Sequence, residues 1–177
     1  MRVSDKYVFF WQGFIGNWFK SPIIEVIDEY PYHFLNVEQY FMYMKARTFG
    51  DEEQCKNILG CKTPKEAKNY GRLVKNYNDK VWEGKRYEIM KHGIYLKFTQ
   101  NKKLKEMLLS KEYDEREFVE ASPYDRIWGV GLSEDNPLID DKLNWKGRNL
   151  MGKAVTEVRE QILQYSFQES PYTLVVE

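Results

Sequence analysis

Asn36 marks a change of period, and that change fixes most of what this chain can fold into. Upstream, β-branched and aromatic residues come in short runs broken by Gly, Pro and acidic residues. Lys6–Trp11 reads as a short strand, followed by the loop Gln12-Gly13-Phe14-Ile15-Gly16-Asn17-Trp18 and then Ser21-Pro22. Ile23–Ile27 and Tyr32–Leu35 read as a β-hairpin around Asp28-Glu29-Tyr30-Pro31, because proline favours a turn and cannot donate to a ladder. Downstream, apolar residues recur at helical spacing behind clear start signals. Asn36 is a good N-cap with Gln39 as its capping-box partner, and its helix runs to about Arg47. Asp51–Leu59 is a second short helix ended by Gly60. Thr63-Pro64-Lys65-Glu66 combines a capping threonine, proline in the first turn and glutamate three residues on. Asn78-Asp79 opens the longest helix, through Phe98, and Asn101–Ser110 forms another. Glu117–Ala121 reads as a short strand, and Gly147 or Asn149 opens a last helix with Leu150, Ala154, Val155, Val158 and Ile162 on one face. The pattern predicts an α+β fold: a mostly helical single domain with a small β-sheet over residues 1–165, and a C-terminal tail over 166–177. Tyr165–Glu177 is aromatic and β-branched, and reads either as a packed strand or as a loose segment.

Composition narrows the partners. A 177-residue chain that is 42% hydrophobic can bury a real core. Lys plus Arg and Asp plus Glu balance at 27 each, which argues against affinity from blanket phosphate neutralisation but leaves room for a local basic pocket. Cys55 and Cys61 are not at metal-ligand spacing with His33 and His92, so they read as reduced thiols, and no metal is expected. No run approaches the roughly 18 apolar residues of a membrane span, and no signal peptide is visible. The expected location is cytoplasmic, with no membrane contact. The two histidines read as packing or surface residues.

The stretch Glu120-Ala121-Ser122-Pro123-Tyr124-Asp125-Arg126-Ile127-Trp128-Gly129-Val130-Gly131 sets two carboxylates, an arginine and a tryptophan beside a Gly-x-Gly turn. Glycines let backbone approach a ligand closely, and a carboxylate near an aromatic plate suits a polar ligand with a flat ring. Trp145-Lys146-Gly147-Arg148-Asn149 has the same mixture, and amides near Gly147 and Asn149 would offer a seat for phosphate. Asn149 also reads as a plain helix cap. Asn17-Trp18 reads as a sugar-binding pair or as a turn with a core plug. Glu38 and Lys45 are seven residues apart on one helix, so they share a side about 10.5 Å apart along the axis. They form either a solvated stripe or a face that looks into a pocket. Glu38 lies in the first turn, where the helix dipole favours its ionised form. Lys56, Lys62, Lys65, Lys68, Arg72 and Lys75 form a basic face that is either solvated or able to contact phosphate.

Several segments taken together resemble the NADAR, or YbiA-like, family. They are Phe14-Ile15-Gly16-Asn17-Trp18 with Ser21-Pro22, Val37-Glu38-Gln39-Tyr40-Phe41 through Lys45-Ala46, Lys97-Phe98 with Gln100-Asn101, the Glu120–Gly131 stretch, and Trp145–Lys153 with Val158-Arg159. They cover about Tyr7 to Leu163 in order. One departure is Gly16, where the family usually has serine, so a hydroxyl is missing beside Asn17. The resemblance implies an N-glycosidase without metal or cofactor. Its substrate would be a small N-ribosyl phosphate of the early riboflavin-pathway type, releasing ribose 5-phosphate. One alternative is removal of ADP-ribose from guanine, with a nucleic-acid contact. Another is a non-catalytic module that binds ADP-ribose or a nucleotide.

Breaking an N-glycosidic bond builds positive charge at C1 of the ribose. The carboxylates Glu38 and Asp125 are therefore the expected stabiliser and proton donor or base. Lys45 is the candidate amine for a Schiff-base route. Asn17, Trp18, Glu120, Trp128, Gly129, Arg148 and Asn149 are the expected substrate contacts, with Trp128 and Trp18 stacking on the heterocycle and Arg148 holding the phosphate.

Overall fold

A computed structural model describes residues 1–168. It contains the strands β1 (Arg2–Val3), β2 (Tyr7–Phe10), β3 (Ile23–Ile27), β4 (Tyr30–Phe34) and β5 (Glu117–Glu120). The helices are α1 (Val37–Thr48), α2 (Glu52–Gly60), α3 (Pro64–Arg72), α4 (Asp79–Gln100), α5 (Lys102–Leu108) and α6 (Leu150–Gln168). The fold is α+β, with its strands divided between a three-stranded sheet in the order β1-β2-β5 and the β3-β4 hairpin. Among the described residues no helix is long and apolar enough to cross a membrane.

β2 is the pivot. It pairs antiparallel with β1 and parallel with β5, setting Tyr7 opposite Glu117 and Phe10 opposite Glu120. Parallel strands need a long crossover, and here the hairpin and α1 to α5 supply it. One face of this sheet, with Val8, Phe10 and Phe118, packs on Ile94 and Phe98 of α4 and on Val155 and Val158 of α6. The opposite face, with Phe9 and Val119, is covered by Val130, Leu132 and Ile139. α1 serves two cores at once. Val37 and Phe41 face α4, while Tyr40, Tyr43 and Ala46 close over the hairpin residues Ile23, Ile27 and Phe34 with Ile58 and Ala67. A helix apolar on both sides is buried, and it fixes the site built on its first turn.

The start signals act as their chemistry dictates. Thr63 and Glu66 form a reciprocal capping box, and Asn36, Asp51 and Asn78 each accept a backbone N–H of their own helix. Other details differ from expectation: β1 was not foreseen, and Gly60, expected to end the second helix, lies inside α2, which Cys61 caps. Gln39 reaches back past Asn36, accepting from Leu35 N at 2.7 Å and donating to Ile58 O at 2.8 Å, so it ties α1 to α2 rather than closing a capping box. The hairpin turn is the two-residue Asp28-Glu29, with φ of 49° and 72°, and Pro31 lies within β4 opposite Val26. Two left-handed residues match the twist of the flanking strands, which a wider turn would not. Finally, α6 runs through Gln168, three residues into the expected tail, and residues 169–177 lie outside those described.

Candidate active site

A cleft of about 1020 Å³ opens between the loop after β2, the first turn of α1, α3, and the loop after β5. Glu38, Glu120 and Asp125 all line it. Each is held by local backbone chemistry. The Glu38 amide donates to Asn17 O at 3.1 Å, and Asn17 Nδ2 donates to Glu38 Oε2, so loop and helix clamp one another. Glu120 ends β5; its amide donates to Asn149 Oδ1 at 2.9 Å and its carbonyl accepts from Val130 N at 3.0 Å. Asp125 Oδ1 accepts from Ile127 N and Trp128 N, both at 2.8 Å, an Asx turn that aims the tryptophan at the cleft. Beneath the first loop, Lys97 of α4 is fully buried and donates to Gly16 O at 2.8 Å and Ile15 O at 3.3 Å. Burial lowers its ammonium to about 7.

Glu38 is 3% exposed, and its Oε1 has no hydrogen-bond partner; neither has Glu120 Oε2. Burial pushes Glu38 up to about 7, against the pull of Lys68 and Arg72. Burial, then the charges of Asp125 and Glu38, push Glu120 up to about 8. The helix dipole was expected to favour an ionised Glu38; desolvation outweighs it. Two buried acids in one cleft titrate as a pair, so near neutral pH the cleft holds a proton to give and a charge to stabilise. Among the described residues no group of three or more His, Cys, Asp or Glu side chains is set to hold a metal ion.

The walls are cationic and aromatic. Lys68 and Arg72, one turn apart on α3, face the cleft and make no ion pair among the described residues. Lys68 Nζ lies 5.6 Å from the centroid of Trp18. Trp128 stands edge-on to Phe41 with centroids 5.4 Å apart. Trp11 and Tyr124 stand at the mouth.

Asn17, Trp18, Glu38, Glu120, Asp125 and Trp128 are thus brought together; four other expected residues are not. Lys45 lies two turns beyond Glu38, where its Nζ donates to Gly71 O at 2.8 Å and sits 4.4 Å from the Tyr77 ring centroid. α3 presses flush on α1 between the two residues: a Cβ at Gly71 would lie 2.1 Å from Met42 Sδ. The shared helix face is therefore divided, with Glu38 in the cleft and Lys45 walled off. Arg148 pairs with Glu83 at 2.7 Å in a separate groove of about 290 Å³ beside Arg86, Tyr87 and Lys153. Asn149 is buried at φ 53°, and its side chain bridges Glu120 N and Phe118 O. The amides of residues 148–151 donate to the carbonyls of Arg126, Gly129, Ile127 and Trp128, so they are not free for a phosphate. Gly129 is packing: a Cβ there would meet Glu120 O and Ser122 Cβ at 2.9 Å and Asp125 O at 3.0 Å.

Sequence reasoning passed over Trp11, Tyr124 and Lys97 as site residues, and held Lys68 and Arg72 only as part of a general basic face. The i, i+4 spacing of Lys68 and Arg72 was a usable signal, as was the place of Tyr124 between Glu120 and Asp125. Trp11 needed the β2–β5 register, which no local pattern carries.

The chain is similar to known proteins. N-glycosidase R617 of Acanthamoeba polyphaga mimivirus is 35% identical over 167 residues, 89% of this chain and 97% of that protein. N-glycosidase YbiA of Escherichia coli is 28% identical over 120 residues, 68% of this chain and 67% of its length. The NMR structure of YbiA matches the fold with a TM-score of 0.72 at 24% identity, over 98% of this chain and 94% of that one. The riboflavin biosynthesis protein VVA0006 of Vibrio vulnificus is 24% identical over 179 residues, 98% of this chain and 42% of that protein. Residues 9–163, which hold every wall of the cleft, match the NADAR domain as a whole, and the chain belongs to that family.

Proposed function

We propose that this protein is an N-glycosidase that hydrolyses a small N-ribosyl 5-phosphate compound, of the kind found early in riboflavin biosynthesis, releasing ribose 5-phosphate and a free amine. The observation that carries the reading is the convergence of Glu38, Glu120 and Asp125 in one cleft, facing the unpaired cations Lys68 and Arg72. The names of R617, YbiA and VVA0006 support the same chemistry.

As the C1–N bond breaks, its electron pair leaves with nitrogen. Glu120, held protonated near pH 7, donates a proton to that nitrogen. The carboxylates of Glu38 and Asp125 oppose the positive charge growing at C1. Water adds its oxygen to C1 and gives its proton to one of them. Lys68 and Arg72 grip the 5-phosphate, while Trp18 and Trp128 wall the sugar from solvent. A Schiff-base variant of the route needs an amine at C1; Lys68 lines the cleft where Lys45 does not, and in that variant Lys68 attacks the sugar and leaves the 5-phosphate to Arg72. The cleft's volume, at the upper end of ordinary ligand sites of about 300–1,000 Å³, also admits ADP-ribosyl conjugates as a second substrate class.

Incubation with ribosylaminopyrimidine 5-phosphates and with ADP-ribosylated guanosine, followed by mass spectrometry of released base and sugar, tests the activity. Glu38→Gln should lower turnover by about 10²–10⁴-fold while the protein remains folded. Lys68→Ala should abolish any adduct trapped by borohydride, whereas Lys45→Ala should leave it intact. Release of neither product by the wild type would end the hydrolase reading.

A further inference from the structure

The cleft is polarised from end to end. Lys68 and Arg72 stand on α3, which packs on α1 beside Glu38, and Lys68 Nζ lies 5.6 Å from the centroid of Trp18, the neighbour of the Asn17 that donates to Glu38. These two cations therefore lie on the Glu38 side, while the third cation of the lining, Arg126, follows the Ser122–Asp125 turn. The Glu120 side is aromatic. Phe10 and Glu120 are register partners, and Ala121 N donates to Phe10 O, so Trp11 and the Ser122–Asp125 turn leave the sheet together. That path sets Trp11 and Tyr124 beside one another, with ring centroids 6.0 Å apart and planes inclined at 52°. The two residues are 45% and 84% exposed, so their aromatic surface is open to a ligand at the mouth of the cleft. The other large rings of the cleft are engaged elsewhere. Trp18 lies under Lys68, Phe19 lies 5.6 Å from the buried Lys97 ammonium, Phe41 is wedged against Trp82 with centroids 5.0 Å apart, and Trp128 stands edge-on to Phe41.

The geometry points to Trp11 and Tyr124 as the subsite for the departing heterocycle, a planar nitrogen ring stacked at the Glu120 end while the 5-phosphate lies at the Lys68–Arg72 end. This assignment rests on the N-glycosidase reading and gives the substrate one direction in the cleft. Gln12, between the two walls, offers an amide that can both donate to and accept from the polar edge of such a ring. Stacking on an aromatic face is tolerant of ring identity, so the subsite selects for flatness more than for one base.

The test compares two ribosyl 5-phosphates: one whose leaving group is an aminopyrimidinone, and N-(5-phosphoribosyl)glycinamide, whose leaving group is not aromatic. Tyr124→Ala removes a side chain that is mostly in solvent, so folding is not at stake, and Trp11→Ala is made alone and in combination. The double variant should raise KM for the pyrimidine compound about 10–100-fold with kcat little changed, the mark of lost binding that is uniform along the reaction. The glycinamide compound's KM should not move. Trp11→Phe with Tyr124→Phe should restore most of the pyrimidine affinity. An equal loss on both compounds, or selectivity that survives in the double variant, overturns the subsite and leaves the hydrolase reading intact. Wild-type protein that cleaves neither compound overturns the hydrolase reading, and the subsite with it.

Discussion

Glu38 sits in the first turn of a helix, between a carboxamide and two cations, and still titrates near 7 because water is kept from it. The Asn17 carboxamide is its direct donor. A hydrogen bond to a carboxylate favours the charged form, so Asn17→Ala should drive Glu38 higher still and move the lower limb of the pH–rate profile to higher pH. A profile of kcat/KM against pH in the two proteins checks this, and an unmoved limb would detach Asn17 from the titration of Glu38. That Glu120 and Asp125 share one cleft was legible because both stand in one short stretch beside tryptophan and a Gly-x-Gly turn, whereas Glu38, between Val37 and Gln39, read equally as part of a solvated stripe. Lys45 was misplaced for a physical reason. Helical spacing sets which way a side chain leaves its own axis, but the neighbouring helix decides whether that direction opens on a cleft or on a carbonyl.

The contact of α3 with α1 is the element-scale counterpart. α3 carries Lys68 and Arg72, two of the cations that line the cleft, and it can sit where it does because Gly71 presents no side chain to Met42. Gly71→Ala places a methyl within 2.1 Å of Met42 Sδ and 3.2 Å of its Cβ, so the thioether must swing out of the seam and the helices must give by a few tenths of an ångström. We expect a stability loss of about 1–3 kcal/mol by denaturant unfolding, together with weaker phosphate binding as Lys68 and Arg72 are carried outward. A variant that unfolds normally and keeps its affinity would show that the two helices tolerate separation. The helices themselves were readable because caps are local: Asn36, Asp51, Thr63 and Asn78 each act within four residues. β1 and the parallel pairing of β2 with β5 were not, since two short apolar runs far apart in sequence carry no mark of mutual register.

Across the whole molecule, the buried ionisable groups tie stability to pH in opposite senses. Glu38 and Glu120 hold their protons more tightly in the folded chain than in the unfolded one, so the folded state loses ground as pH rises from about 4.5 towards 8. Lys97, neutral above about 7, works the other way: its penalty is complete below that pH and is relieved as pH climbs towards 10.5. A thermal-unfolding series should therefore show Glu38→Gln and Glu120→Gln gaining Tm over the wild type steadily between pH 5 and pH 8. A constant offset across that range would mean that the two acids are better solvated than their burial implies. The segment from Arg126 to Met151 carries a different lesson. The amides of Lys146 and residues 148–151 donate to the carbonyls of residues 126–130 at its start, and Asn149 pins its end to β5, so the stretch works as a buckle. Mutational screens that score only growth or product will rank it with the reacting groups. Soluble yield will tell the two apart, falling with activity at Asn149 and holding steady at Glu38.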